Sequence, residues 1–137
     1  MNKSIKDTQA MIAGMAPVLD ADTWNFCTTK DQALADKTMP LALAFFDEDE
    51  GKSFILLSQI AKDFGFECEL PMARITLSVH SALDGVGLTA AVAGLLAEHA
   101  IPCNMVAAFH HDHVFVPAEQ AERAMALLKG LAAGKAA

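Results

Sequence analysis

From residue 73 onward, apolar and polar positions recur with two different periods, and the switches between them mark out elements. In ARITLSVH (73–80), Ile75, Leu77 and Val79 alternate with Thr76, Ser78 and His80, the two-residue period of a half-buried strand. From Gly87 the apolar positions are Leu88, Val92, Leu95 and Leu96, a helical spacing that runs to His99. IPCNMVAAF (101–109) and HVFVP (113–117) are apolar runs about a very short polar turn, which predicts a hairpin with its tip at His110–Asp112. Pro117 then opens AEQAERAMALLKGL, where Ala121, Ala124, Met125, Leu128 and Leu131 form a helical stripe. Glu119 and Glu122 at its start and Lys129 near its end match the helix dipole.

The first half reads as shorter pieces. Residues 4–15 place Ile5, Ile12 and Met15 near one helical face, with Pro17 as a stop. WNFCTT (24–29) predicts a short strand, followed by a polar loop over Lys30–Lys37. LALAFF (41–46) and SFILL (53–57) flank the acidic turn DEDEG, a second hairpin signal. Ser58 fits the cap of a helix through QIAKDFG, with Gly65 ending it.

The second half thus has the order β-α-β-β-α, five of the six elements of a ferredoxin-like βαββαβ unit. After its last helix only LAAGKAA remains, so the uncovered sheet edge calls for a strand from the first half. The first half has the opposite deficiency, because it opens with a helix and lacks a leading strand. The expectation is an α/β (α+β) protein of two ferredoxin-like units, 1–70 and 71–137, with antiparallel sheets that complete one another.

Composition narrows the function classes. Apolar residues make up 53% and charged residues 20%, which rules out a disordered chain. The formal charge of −7 lies mostly in the first half, and no basic cluster interrupts it. Nucleic acid and anionic membrane surfaces both need Lys/Arg neutralisation, so neither is an expected partner. No apolar run approaches the ~18 residues of a membrane helix. The first apolar stretch is broken by Lys6, Asp7, Thr8 and Gln9, unlike a signal peptide, which makes a cytoplasmic location the expectation. Three cysteines without C-x-x-C spacing point to neither a disulfide framework nor a thiolate zinc site.

The most informative stretch is SALDGVGL (81–88), which follows a strand and opens a helix. Gly85 and Gly87 permit backbone conformations that a side chain hinders. The first amides of a helix, unpaired within it, attract an anion such as a free carboxylate. Asp84 then suits the α-amino group of the same ligand, and Asn104 on the neighbouring strand offers both a donor and an acceptor. His80 and Ser81 would line such a pocket. The competing reading is that Ser81 and Asp84 form a capping pattern and satisfy the helix's own amides. G-V-G lacks the third glycine and longer βαβ context of a dinucleotide fingerprint, and no cofactor is expected.

AAFHHDHVFVP (107–117) is the other candidate. Only His111 and His113 have the alternate spacing that places two ligands on one face of a strand, and a third ligand from His80 or His99 would have to arrive through the fold. Asp112 is an ordinary turn residue, so the stretch reads as a polar turn. Cys27 and Cys103 sit in apolar runs as small hydrophobes, DEDE (47–50) reads as a solvated turn, and Trp24 as core or interface.

On the residues ITLSVHSALDGVGLTAAVAGLLAEHAIPCNMVAAFHHDHVFVP (75–117), the second half resembles an ACT domain, the small-molecule-sensing module found on aspartate kinase and other enzymes of amino-acid metabolism. PLALAFFDEDEGKSFIL (40–56) carries a weaker likeness, and the whole chain resembles small bacterial proteins built from two ACT-like units. The resemblance implies a non-catalytic regulatory protein with an amino-acid ligand at Asp84, Gly85, Val86, Gly87, Leu88 and Asn104, and association into a homodimer. Two alternatives stand beside it. One is a structural or interaction module whose pocket is filled by its own Leu88 or Phe109. The other is a metal-dependent hydrolase using His111 and His113.

Overall fold

Asp7 sets the start of the first helix. Its carboxylate accepts hydrogen bonds from the amides of Gln9 (2.8 Å) and Ala10 (3.3 Å), capping α1, Thr8–Gly14. The computed structural model describes residues 7–79 and 86–134. Ile5 of the expected 4–15 helix therefore lies outside the described residues; Met15 is buried and Ile12 packs partly buried against the core, as expected, and Met11, outside the expected stripe, is buried as well. Strand β1, Pro17–Thr29, starts well before the expected WNFCTT run. Its first residues, PVLDADT, show no clear alternation; they are strand because of what they pair with.

The expected polar loop over Lys30–Lys37 is instead helix α2, Gln32–Thr38. Asp31 accepts from the amides of Ala33 (3.0 Å) and Leu34 (3.3 Å), and Ala35 and Thr38 turn inward. The cap and these two small residues outweigh the polar composition. A 3-10 turn at Met39–Leu41 takes up Pro40, so strand β2 begins only at Ala44 and runs to Glu48. Strand β3, Gly51–Leu57, pairs with it antiparallel, Phe45 opposite Phe54, which makes the expected hairpin. Ser58 is not a cap but the first residue of α3, Ser58–Asp63, and its hydroxyl donates to Oδ1 of the buried Asn25 at 2.6 Å. Gly65 ends that helix at φ +81°.

Strand β4 is Met72–Leu77, helix α4 Leu88–Glu98, strand β5 Asn104–Ala107, strand β6 Asp112–Pro117, and helix α5 Ala121–Ala132 after a 3-10 turn. β5 starts later than Ile101 because α4 closes in a Schellman motif. Ala100 turns left-handed (φ 58°), its amide bonds Ala97 O at 3.0 Å, and the Ile101 amide returns to Leu96 O at 2.9 Å. Ile101 is thereby held in the core rather than in a strand.

The chain divides into two compact units, Met1–Ala21 with Ala73–Ala137, and Asp22–Met72. β1 passes from one to the other. In the first unit the strand order is β1-β4-β6-β5, so the start of β1 supplies the closing strand that the second half lacks. The Asp20–Arg74 ion pair (3.0 Å) ties the two strands together. This is the ferredoxin-like arrangement, and the fold is mixed α/β. The core of this unit joins Met11 and Met15 to Ile75, Leu77, Val92, Leu96, Val114, Val116, Ala124 and Leu128, which fill one side of the sheet between strands and helices. In the second unit the order is β2-β3-β1, over a smaller core of Cys27, Phe54 and Leu56 closed by Ala35 and Ala61 from the two helices.

Candidate functional site

The turn that opens α4 is built on a residue from the far end of the chain. Gly87, the N-cap, has φ +105° and ψ −21°, a left-handed conformation that side chains resist. A Cβ added there would lie 2.7 Å from Oγ1 and Cγ2 of Thr8. The Thr8 hydroxyl also donates to the carbonyl of Val86. So α1 begins directly against this turn. As a glycine, the cap residue has no side-chain oxygen to offer the first amides of α4. The Gly87 carbonyl accepts from Ala91 (2.9 Å), the first bond of the helix.

The expected ligand residues divide in three ways. His80, Ser81, Asp84 and Gly85 lie outside the described residues. Val86 is 75% exposed, whereas Leu88 is 4% exposed and packs in the core, so only its main chain can face a ligand. Asn104 is exposed on β5 directly opposite Phe115, three residues along from the Ala107–Asp112 pair that closes the hairpin. At about 3.3 Å per residue, that is about 10 Å from the tip end of the strand.

The hairpin tip, and not Asn104, meets the end of β4. The tip is Ala108–His111, closed by the Ala108 amide on His111 O at 3.0 Å, so it starts two residues and ends one residue earlier than expected. His111 Nδ1 lies 3.4 Å from Val79 O, and His113 Nδ1 lies 3.0 Å from the hydroxyl of Thr76. As the numbers rise along β4 they fall along β6, which makes the pair antiparallel. A carbonyl only accepts, so Nδ1 of His111 carries the proton. His99 likewise donates Nδ1–H to Leu95 O at 3.0 Å, a helix-end contact. His113 shares a face with Arg74, away from the core. Burial pushes its pKa down from the usual 6.5, with Arg74 and His111 adding to the effect and Asp112 opposing it. Burial raises Asp112, against the pull of His113 and His111. Among the described residues no three His, Cys, Asp or Glu side chains come together as a metal requires.

In the second unit, an open hollow of about 190 Å³ lies at the strand-to-helix turn, lined among others by Lys30, Asp31, Gln32, Asp47, Glu48 and Lys52. Several of its charged groups are already engaged. Lys52 Nζ pairs with Asp47 at 2.8 Å, and the Asp31 carboxylate caps α2. Cys27 is held by burial, with a lesser contribution from Cys68, at a pKa of about 11, so at neutral pH it is a thiol and a poor nucleophile. Burial also raises Cys103.

The family model for the ACT domain matches residues 71–130, and a second ACT-domain model matches residues 3–73. The chain belongs to the ACT-domain family. A Vibrio cholerae protein of unknown function, described as a possible transport protein, is 38% identical, with 90% of this chain and 94% of that one covered and a TM-score of 0.80. The ligand-free regulatory subunit of aspartate kinase from Thermus thermophilus shares the fold at 13% identity, 84% and 95% coverage and a TM-score of 0.62. An Agrobacterium tumefaciens protein does so at 18% identity, 86% and 89% coverage and a TM-score of 0.67. No curated protein sequence matches significantly. ACT domains as a class are regulatory modules that bind small molecules and associate with one another. No helix among the described residues of this ACT-domain protein is long and apolar enough to cross a membrane. Thr8 is the site residue that sequence reasoning missed. It lies 78 positions from Val86, and nothing local in DTQAM connects it to a glycine turn.

Proposed function

We propose that this protein is a non-catalytic sensor in which the main-chain amides opening α4 bind the carboxylate of an amino acid. Family membership supports a regulatory, ligand-binding role. The observation that carries the finer reading is Gly87: a helix start whose cap residue brings no oxygen of its own leaves room for an external carboxylate to do the capping. Val86, Gly87 and Leu88 contribute backbone, and His80, Ser81, Asp84 and Gly85 belong to the same proposed site. Asn104 enters the proposal from β5, which β6 separates from β4, and His111, whose ring reaches Val79 O just past β4, joins it.

The two family matches support 1–70 and 71–137 as the functional halves. A homodimer and a cytoplasmic setting complete the proposal. The strand orders end on β2 and β5, edges that invite pairing with a second copy. All three cysteines are free thiols, as a reducing compartment favours.

Isothermal titration with each of the standard amino acids, paired with amide NMR spectra, tests the reading. Heat with at least one of them, and shifts centred on the amides of Gly87–Ala90, is the expected result. No heat and no thermal shift with any of them, or shifts confined to other elements, overturns it.

A further inference from the structure

Two cysteines 41 positions apart in sequence share the small core of the second unit, close enough for one to act electrostatically on the other, and the proposed ligand site uses neither. Cys27, on β1, is 7% exposed and belongs to the buried cluster with Phe54, Leu56, Ala35 and Ala61. Cys68 packs against that cluster from the stretch that follows α3. The two differ in access. Cys68 is half-buried and Cys27 buried, so a reagent from solvent reaches Cys68 first. Each thiol is held only by a long contact to a main-chain carbonyl two residues back, Cys27 to Asn25 O at 3.6 Å and Cys68 to Phe66 O at 3.5 Å. Thiols are weak donors, so little is lost when those contacts are given up. Residues 66–68 belong to neither helix nor strand, and a segment of that kind can adjust to the geometry that a disulfide demands without breaking a ladder or a helix.

We propose that Cys27 and Cys68 form a thiol pair that closes to an intramolecular disulfide when the protein meets a small-molecule disulfide oxidant. The thiolate of Cys68 attacks one sulfur of the oxidant, forming a mixed disulfide and expelling the other half as a thiolate that takes up a proton. Cys27, after passing its proton to solvent, attacks the Cys68 sulfur and expels the second half. Two protein S–H bonds are exchanged for one S–S bond, and the oxidant is reduced to two thiols. The accessible thiol is the entry point, and the buried one, a poor nucleophile toward free reagents, resolves the adduct because the fold holds it alongside. The link would tie β1 to the chain segment that runs into β4.

The test uses the full chain and oxidised glutathione. Trypsin places the three cysteines in separate peptides, 7–30, 63–74 and 75–123, so a cross-link is read directly by mass. The expected product joins 7–30 to 63–74 with the loss of two hydrogens, reverts with reductant, and still forms in Cys103→Ser. Cys68→Ser abolishes it, and Cys27→Ala leaves glutathione stably attached at Cys68. Each of three results overturns the proposal: a lasting glutathione adduct on Cys68 of the unaltered protein, oxidation directed to Cys103, or a Cys27–Cys68 link that forms only in denaturant.

Discussion

The side chain of Thr8 lies over the α-carbon of Gly87, so close that a Cβ on Gly87 would sit 2.7 Å from its hydroxyl and methyl. Two residues from the two separate chain segments of the first unit thereby define the turn at which α4 begins. Gly87 is needed twice over, for a left-handed backbone and for the space that Thr8 fills.

Gly87→Ala is expected to destabilise the protein by more than the ~1–2 kcal/mol of a left-handed non-glycine residue, because the contact with Thr8 adds to it. Urea unfolding of Gly87→Ala, Thr8→Ala and the double variant checks this. The double variant should recover part of the loss, a coupling expected of side chains in contact. Strict additivity would show that Thr8 does not press on the turn.

His113 gives the stability a sign with respect to pH. Its folded pKa lies below the usual 6.5, so the unfolded chain binds the proton more readily. Stability is fully present above about 6.5 and falls as the pH drops through the folded value. Asp112 works the other way. Its folded pKa is raised above 3.8, so the penalty of its charge is relieved as the pH falls through that raised value. Denaturant midpoints measured between pH 7.5 and 5 should decline, and His113→Gln should flatten the curve over that range. An unchanged slope in the variant would assign the decline to other groups.

Ala100 closes α4 in a left-handed conformation that glycine adopts without strain. Relief of ~1–2 kcal/mol of strain against the greater unfolded-chain freedom of glycine, ~0.5–1 kcal/mol, leaves a net gain. Ala100→Gly is expected to raise the unfolding free energy by about 0.5–1 kcal/mol. A fall in thermal midpoint would contradict this account of the Schellman turn.

Asp31 holds α2 at its first turn through the amides of Ala33 and Leu34. Asp31→Ala should cost about 1 kcal/mol, and Asp31→Asn or Asp31→Ser much less. Hydrogen exchange at Ala33 and Leu34 locates the effect: faster exchange there in Asp31→Ala, with α5 unaffected, is the expected pattern.

How much of this was legible in the residues depends on how local the cause is. The alternation in ARITLSVH and the helical spacing from Leu88 are carried by each segment itself, because a strand or helix with one apolar side can bury that side in only one way. They were enough to reveal β4, α4, the β5–β6 hairpin, α5 and the need for a borrowed strand. α2 stayed hidden because its periodicity spans barely two turns, and its decisive residue, Asp31, looks like any polar loop residue. The first residues of β1 were invisible for a different reason. Asp20, Ala21 and Asp22 have little strand propensity, and the stretch becomes strand by hydrogen bonding to β4 and by pairing Asp20 with Arg74.

The same division holds at the candidate site. The glycine at position 87 and the helix after it are written in SALDGVGL, since a left-handed helix start admits little else. That Thr8 is the residue which closes that turn, that His111 rather than Asn104 meets the end of β4, and that Cys27 and Cys68 share one core were decided only when distant segments packed together. Contacts between such segments depend on the whole fold's register, and no short stretch of chain encodes that.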